Sequence, residues 1–233
     1  MISYKNGNIF TTTAETIVNT VNCVGIMGAG IAFEFRLREP SMYEQYRSLC
    51  AERQIAIGKL WLCSSNGQYG YKQVLNFPTK IDWKLPSDES YLRQGLDRFV
   101  ATYQTKNISS IAFPMLGADR GGISQERSLS IMQNYLNKCD IDIEIWRFDT
   151  AAKDDLFDRF IKRIKQVDFA LLKKECGIRS DILKKVIIGS EQDDINSISG
   201  LLRLNGVGDV SIEKLFHYVS KEYQRERSLF DIG

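Results

Sequence analysis

Apolar residues follow two alternating patterns along the first 150 residues of the chain. Short continuous runs bounded by turn residues are typical of buried strands, and apolar positions spaced three or four residues apart are typical of helices. The predicted strands are 17–21 (ending at Asn22), 59–63, 71–77, 110–114 and 142–148. The predicted helices are 30–50 (interrupted at Pro40), 90–103 and 125–139. This alternation predicts an α/β fold with a largely parallel sheet and helices on both faces.

The strand pattern stops at about residue 152. Beyond it, the apolar spacing is helical in four segments, namely 156–169, 180–188, 194–204 and 211–223. We therefore predict two domains, an α/β domain over 1–150 and a small all-α domain over 151–233, joined by a linker near Thr150.

Composition and charge narrow the function only slightly. Hydrophobic residues make up 43% and charged residues 26%, as in ordinary soluble domains, and the net charge of +2 neither requires nor excludes nucleic acid. The five cysteines are scattered without a C-x-x-C pair, which favours reduced thiols in a cytoplasm over a disulfide framework or a zinc site. No stretch is long enough to span a bilayer. We expect a cytoplasmic protein with no membrane partner, metal or cofactor.

The single histidine, His217, restricts the available chemistry. A Ser-His-Asp or Cys-His enzyme, or a three-histidine metal site, would have to be built around this one residue. It lies in a helical pattern far in sequence from any glycine loop. An active site here would therefore depend on lysine, carboxylates and backbone amides.

Two glycine-rich segments each follow a predicted strand and precede a predicted helix: the first glycine loop, 25–30, and the second glycine loop, 117–122. Glycine lets backbone N–H groups turn toward an anion, and the following helix adds its positive end. Two such loops at one sheet edge suit a diphosphate, although either alone is also typical of a structural turn. The first loop matches neither a phosphate loop nor a dinucleotide fingerprint, which argues against ATP and NAD.

Three motifs carry a family resemblance. They are V-N-T-V-N-C-V-G-I-M-G-A-G-I-A at 18–32, N-F-P-T-K-I-D-W at 76–83 and P-M-L-G-A-D-R-G-G at 114–122. Together they resemble the macrodomain family, in particular its DNA ADP-ribosyl glycohydrolase antitoxins, the DarG-like group, and also the related terminal ADP-ribose protein glycohydrolases. The resemblance covers roughly residues 1–150.

Several expectations follow from this resemblance. It implies a three-layer macrodomain with a mixed, largely parallel sheet, which binds ADP-ribose and removes it from DNA, with an ADP-ribosyltransferase toxin as partner. Two alternatives stay open: a reader that binds ADP-ribose without cleaving it, and an enzyme acting on ADP-ribosylated protein or ADP-ribose 1″-phosphate.

The resemblance also implies roles for individual residues. Lys80 would be catalytic, either as a nucleophile with a lowered pKa or as a charged group that orients the ribose. Asn22 would lie against the distal ribose, with Asn19 shaping the loop, and Phe148 would either cover the adenine or belong to the core. The ligand-binding residues implied are Asn8, Ile9, Asn19, Asn22, Gly28, Ala29, Gly30, Ile31, Thr79, Gly117, Ala118, Arg120, Gly121, Gly122 and Phe148.

Three positions depart from the family pattern. Asn8 stands where many macrodomains have an aspartate that accepts from adenine, so we expect weaker adenine affinity. Asp119 stands where the antitoxins tend to have glycine, and it would act as a general base or as a loop-capping carboxylate. Gly121 stands where the related protein glycohydrolases have an aspartate that pairs with their lysine. Arg120, at a variable position of the same motif, would reach a phosphate or point into water.

Near the C-terminus, residues 201–215 resemble the L-x-x-L-x-G-V-G hairpin of helix-hairpin-helix domains. In that resemblance the backbone amides of Gly206 and Gly208 would contact a DNA phosphate independently of sequence. A plain helix–helix turn is the alternative, because residues from 151 onward lack the basic excess typical of a DNA-binding domain.

Overall fold

A computed structural model describes residues 1–230, and the side chains of all of these except Asp155 and residues 222–230. The chain separates into two compact units, with the boundary between Asp149 and Thr150. Each unit is described separately below.

The first unit is built on one six-stranded sheet. Its strands are β1 (Ile2–Gly7), β2 (Thr16–Asn22), β3 (Trp61–Ser64), β4 (Gln73–Lys80), β5 (Ser110–Pro114) and β6 (Asp142–Phe148). Its α-helices are α1 (Gly30–Arg38), α2 (Pro40–Ala51), α3 (Glu89–Thr102) and α4 (Gln125–Leu136). The strand order is β1-β6-β5-β2-β4-β3, and every neighbouring pair is parallel except β3 with β4. The predicted α/β fold with a largely parallel sheet is confirmed.

The sheet is buried on both faces, which explains the uninterrupted apolar runs in its central strands. Neighbouring residues of β2 point to opposite sides: Ile17 packs in one hydrophobic cluster and Val18 in the other. Val74 and Leu75 of β4 pair with these two residues and divide in the same way. One cluster includes α3 and α4 and the other includes α1 and α2, so the sheet lies between two helical layers.

The strand β1 has no counterpart among the sequence-based predictions. It lies at the edge of the sheet and pairs only with β6, and Tyr4, Lys5 and Asn6 in it are exposed. An edge strand with exposed side chains has no long apolar run, so its parallel pairing with a strand about 140 residues away leaves little local signal.

The second unit is helical, with α5 (Asp155–Gln166), α6 (Phe169–Cys176), α7 (Ser180–Gly189) and α8 (Asp209–Phe230). The predicted helix over 156–169 forms as α5 but ends earlier than predicted, at Gln166, and α6 begins at Phe169. The Asp168 carboxylate accepts a hydrogen bond from the Leu171 N–H at 2.9 Å and caps the new helix.

The helix predicted over 194–204 does not form as an α-helix. Only a 3₁₀ helix forms there, over Ser199–Arg203. The Ser197 hydroxyl accepts from the Gly200 N–H at 3.0 Å, and such local bonds compete with a regular helix.

Candidate functional site at the carboxyl edge of the sheet

The five mutually parallel strands end at one edge of the sheet, and this edge gathers the predicted site residues. Asn8 follows β1, and Lys80 and Phe148 are the last residues of β4 and β6. The first glycine loop follows β2, and the second follows β5. The topology therefore brings both loops and the lysine to the same side of the fold.

Asn22 organises the first glycine loop through its side-chain amide. Its Oδ1 accepts from the N–H groups of Val24 at 3.1 Å and Ile26 at 3.3 Å, and its Nδ2 donates to the Ile26 carbonyl oxygen at 2.6 Å. The Tyr46 hydroxyl donates to the Asn22 carbonyl oxygen at 2.7 Å and anchors the loop from α2. Asn22 thus shapes the loop directly, and its own contact with a ribose stays a prediction.

Asn19 and Thr79 lie in the interior beneath the loops. The Asn19 Nδ2 donates to the Asn76 Oδ1 at 2.9 Å and lies 3.8 Å from the Met27 sulfur. These contacts link β2 to β4 and to the underside of the first glycine loop. Asn19 therefore supports the loop from below, and the structure gives it no surface for a ligand.

The first glycine loop ends in the N-terminus of α1. Ala29 is the N-cap residue and provides no capping side chain, while Gly30 has φ of +55°. Ala29 thus gives the N–H groups of the first turn no side-chain cap, and Gly28, Ala29, Gly30 and Ile31 are all partly exposed. Such a helix end favours an anion, as predicted for a phosphate group.

Close backbone packing holds the second glycine loop in shape. The carbonyl oxygen of Gly117, where φ is +67°, accepts from the Ile123 N–H at 3.0 Å and closes the loop. The carbonyl oxygen of Gly121 accepts from the Ser87 N–H at 2.9 Å. A Cβ at Gly121 would collide with the Gly117 carbonyl and lie 2.5 Å from the Ser87 hydroxyl oxygen, so only glycine fits.

Lys80 extends from the end of β4 to the second glycine loop. Its ammonium donates a hydrogen bond to the backbone carbonyl oxygen of Arg120 at 2.6 Å. Partial burial and the nearby Arg120 guanidinium lower the pKa of Lys80, while the Asp119 carboxylate acts in the opposite direction. This direction is the one that a lysine nucleophile requires.

Asp119 brings the two glycine loops into proximity. Its Oδ2 lies 4.0 Å from the position that a Cβ on Gly30 would occupy, at the N-terminus of α1. The Asp119 and Arg120 side chains are both exposed. The carboxylate thus lies near the N-terminus of α1 and close enough to Lys80 to affect its protonation.

Asn8 and Phe148 lie together at the far end of the same edge, because Gly7 pairs with Phe148 in the sheet. The Asn8 Oδ1 caps the 3₁₀ helix Ile9–Thr11 by accepting from the Phe10 N–H at 3.1 Å, and Ile9 is buried in the core. The Phe148 side chain is 58% exposed, so the alternative that it is a core aromatic is wrong. An exposed ring beside a polar cap is suited to stacking against a base.

A short segment after Lys80 connects the regions of the two glycine loops through contacts that the sequence did not predict. This bridging segment, residues 81–87, is tied at its start by the Cys23 N–H, which donates to the Ile81 carbonyl oxygen at 3.1 Å. Its end is tied by the bond from Ser87 to Gly121 described above. These are tertiary contacts, which neither the motif at 76–83 nor the P-S-D turn pattern at 86–88 reveals in the sequence.

Other chemistry at this edge is weaker. Burial raises the pKa of the Cys23 thiol to about 11, which makes it a poor nucleophile. Over the part of the chain that the structure describes, no cluster of three His, Cys, Asp or Glu side chains is placed to hold a metal ion. Among the described helices, none combines the length and apolar character needed to cross a bilayer.

In the second unit, the predicted hairpin forms a tight turn between the 3₁₀ helix and α8. The Val207 N–H donates to the Leu204 carbonyl oxygen at 3.0 Å, and Gly206 has φ of +80°. The Lys185 ammonium of α7 donates to the Asn205 carbonyl oxygen at 2.8 Å, a contact that the sequence did not predict. The element before the turn is a 3₁₀ helix, whereas the helix-hairpin-helix resemblance implies an α-helix.

Comparison with known proteins agrees with this architecture. A family model described as Macro domain matches residues 18–132. A DNA ADP-ribosyl glycohydrolase of Mycobacterium tuberculosis is 40% identical over 126 residues, which are 54% of this chain and 36% of that protein. The chain therefore spans little more than a third of the length of this curated relative.

Two solved structures share the fold of the first unit. The macrodomain of Mycobacterium tuberculosis DarG has a TM-score of 0.60 and 36% identity, covering 63% of this chain and 97% of that one. The Thermosipho africanus DarTG in complex with ADP-ribose has a TM-score of 0.58 and 29% identity, covering 60% of this chain and 40% of that one.

Proposed function

We propose that this chain, which belongs to the macrodomain family, is a glycohydrolase that removes ADP-ribose from a base in DNA. The observation that carries the proposal is the position of Lys80, whose ammonium is held 2.6 Å from the Arg120 carbonyl oxygen in the second glycine loop. The name of the Mycobacterium tuberculosis relative, a DNA ADP-ribosyl glycohydrolase, supports DNA as the substrate.

ADP-ribose would bind along the carboxyl edge of the sheet. The N–H groups at the start of α1 and in the second glycine loop would hold the diphosphate, with Gly28–Ile31 on one side and Gly117, Ala118, Gly121 and Gly122 on the other. The adenine would lie against Phe148, with Asn8 beside it. The distal ribose would then reach Lys80 and Asp119, the residues that connect the two loops.

In the chemical step, the neutral Lys80 amine attacks the anomeric carbon of the distal ribose. A carbon–nitrogen bond forms as the bond from that carbon to the DNA base breaks, and the released base takes up the proton that the new secondary ammonium gives up. Water then attacks the same carbon, where a carbon–oxygen bond forms as the bond to the Lys80 nitrogen breaks. The proton that water loses passes to the departing nitrogen, and the products are ADP-ribose and the free amine. Asp119 lies on the side of α1, in a position to accept a proton from that water.

Two partners accompany this proposal. A toxin with ADP-ribosyltransferase activity would create the substrate, and the name of a Thermosipho africanus relative, a fusion of DNA ADP-ribosyl transferase with DNA ADP-ribosyl glycohydrolase, supports that pairing. The backbone amides of Gly206 and Gly208 would contact a phosphate of the DNA. A Cβ at Gly208 would meet open space, so a phosphate has room to approach there. Loss of DNA retention on substitution of Gly208 by glutamate would support this contact, and unchanged retention would contradict it.

The experiment that tests the activity compares three substrates at equal concentration: ADP-ribosylated DNA, ADP-ribosylated protein and ADP-ribose 1″-phosphate. We expect release of ADP-ribose from the DNA at a rate that exceeds the other two. Faster release of ADP-ribose from the modified protein, or faster hydrolysis of ADP-ribose 1″-phosphate, would identify that compound as the substrate instead. Binding of ADP-ribose without turnover of any substrate would identify a reader.

A further inference from the structure

Exposed apolar side chains are concentrated around Lys80. The large hydrophobic residues Val24 and Ile26 of the first loop region and Ile81, Trp83 and Leu85 of the bridging segment are all substantially exposed. Exposed apolar residues scattered singly need no explanation, but a group beside a candidate catalytic residue indicates a binding surface. We call these five side chains the apolar rim.

Trp83 is held in a fixed turn within this rim. The Asp82 carboxylate accepts from the Lys84 N–H at 2.9 Å, and the Asp82 carbonyl oxygen accepts from the Leu85 N–H at 3.1 Å. The ends of the bridging segment are bonded to Cys23, just before the first glycine loop, and to Gly121 in the second glycine loop, as described above. The 53% exposure of Trp83 is therefore a consequence of a structured turn that presents the indole to solvent.

Electrostatics favours a nucleic-acid strand over an apolar protein segment as the occupant. The Lys84 ammonium lies 5.4 Å from the centroid of the Trp83 ring, and Lys80 ends the strand that leads directly into the bridging segment. An aromatic ring beside lysine ammonium groups is an arrangement that binds unpaired nucleotides, with the base stacked on the ring and the phosphate near the cations.

We infer that Trp83, with Ile81 and Leu85, forms an acceptor-side subsite that stacks an unpaired base of the strand carrying the ADP-ribose. This inference rests on the proposed function, because Lys80 defines which side of the cleft the leaving group occupies. The subsite is separate from the ADP-ribose contacts. It selects a nucleotide chain over an isolated ADP-ribosyl group and holds the strand while the bond breaks.

The test measures binding, so that it does not depend on turnover. In a Lys80→Ala background, we would compare the affinity for free ADP-ribose with that for an ADP-ribosylated single-stranded oligonucleotide. We expect the oligonucleotide to bind more tightly, and Trp83→Ala to weaken only the oligonucleotide, on the order of tenfold. Trp83→Phe keeps an aromatic ring and should restore most of the loss.

Phe148→Ala is the matched control, because Phe148 is similarly exposed but lies at the adenine end. It should weaken both ligands by the same factor. Equal binding of both ligands before substitution, or an unchanged oligonucleotide affinity in Trp83→Ala, would overturn the subsite. If an excess of a protein partner displaces the oligonucleotide, and Trp83→Ala leaves the oligonucleotide affinity unchanged, the apolar rim would instead be a protein-docking surface.

Failure of the two proposals gives different results. Absence of ADP-ribose release by the unsubstituted chain, with Trp83-dependent oligonucleotide binding retained, would refute the glycohydrolase and leave the subsite in place. Release that is equally fast from an ADP-ribosylated nucleoside and an oligonucleotide, and is independent of Trp83, would leave the glycohydrolase and refute the subsite.

Discussion

The Lys80 ammonium donates to the Arg120 carbonyl oxygen at 2.6 Å, and this one hydrogen bond joins the end of β4 to the second glycine loop. It places the amine beside the Asp119 carboxylate and the Arg120 guanidinium, two opposite charges with opposite effects on its protonation. The reactivity of the lysine is therefore set by residues of the loop that would also bind the diphosphate.

The pH dependence of release should follow the protonation of Lys80. A nucleophilic amine must be neutral, so activity should rise with pH, and the lowered pKa of Lys80 places that rise below the range of an ordinary lysine. Asp119→Asn removes a charge that raises this pKa and should move the profile to lower pH. Arg120→Gln removes a charge that lowers it and should move the profile to higher pH.

The measurement is single-turnover release from ADP-ribosylated DNA over a pH series for the three proteins. A rate that falls with rising pH would show that the charged ammonium is the active form, the electrostatic alternative. Because Asp119 also accepts a proton from water in the proposed step, Asp119→Asn should in addition lower the rate at every pH, and an undiminished maximal rate would contradict that role.

Gly121→Ala should weaken ADP-ribose binding. The added methyl would collide with the Gly117 carbonyl and crowd the Ser87 hydroxyl, so the second glycine loop must shift, at a cost of roughly 1–3 kcal/mol. Titration calorimetry with ADP-ribose measures the effect.

Gly67→Ala is the control for this substitution. Gly67 also has a positive φ, of +76°, but a Cβ there would meet open space in the connection between β3 and β4. It should lower stability by about 1–2 kcal/mol through backbone strain while leaving ADP-ribose affinity unchanged. Equal affinities for the two variants would argue against a binding role of the second glycine loop.

Asn8→Asp should strengthen ADP-ribose binding. Aspartate caps the 3₁₀ helix Ile9–Thr11 as well as asparagine does, and its charge makes it a better acceptor for an adenine amino group. The expected gain is about fivefold, the typical difference between a neutral and a charge-assisted hydrogen bond. Asn6→Asp, at an exposed position of β1, carries the same charge change and should have no effect. A loss of affinity in Asn8→Asp would place the adenine elsewhere.

The gathering of the glycine loops at the carboxyl edge of the sheet could be predicted, because the sequence patterns that mark each strand and turn are local. The apolar run of 17–21 and the glycines at 25–30 each mark a strand or a turn by themselves, and the parallel topology then brings the loop ends together. Asn22 shows the limit of this reasoning. The sequence marks it as a loop residue, but its bonds to Val24, Ile26 and Tyr46 depend on the folded loop and on α2.

The contacts of the bridging segment, and the contact of Lys185 with the hairpin of the second unit, were not predictable for the same reason. Ser87 and Ile81 become important through bonds to Gly121 and Cys23, residues that are distant in sequence. Lys185 is one of several lysines on helices, and only the fold shows that it reaches the Asn205 carbonyl oxygen. The apolar spacing in 194–204 predicted a helix over the whole segment, but its serine and glycine residues favour turns over an α-helix.

The most direct test of the account compares Lys80→Ala with the unsubstituted chain in two measurements, release of ADP-ribose from ADP-ribosylated DNA and binding of free ADP-ribose. Lys106→Ala is the matched control, since Lys106 is an exposed lysine between α3 and β5, at the opposite edge of the sheet. We predict that Lys80→Ala abolishes release and keeps ADP-ribose binding, while Lys106→Ala changes neither. Full release by Lys80→Ala would contradict the account.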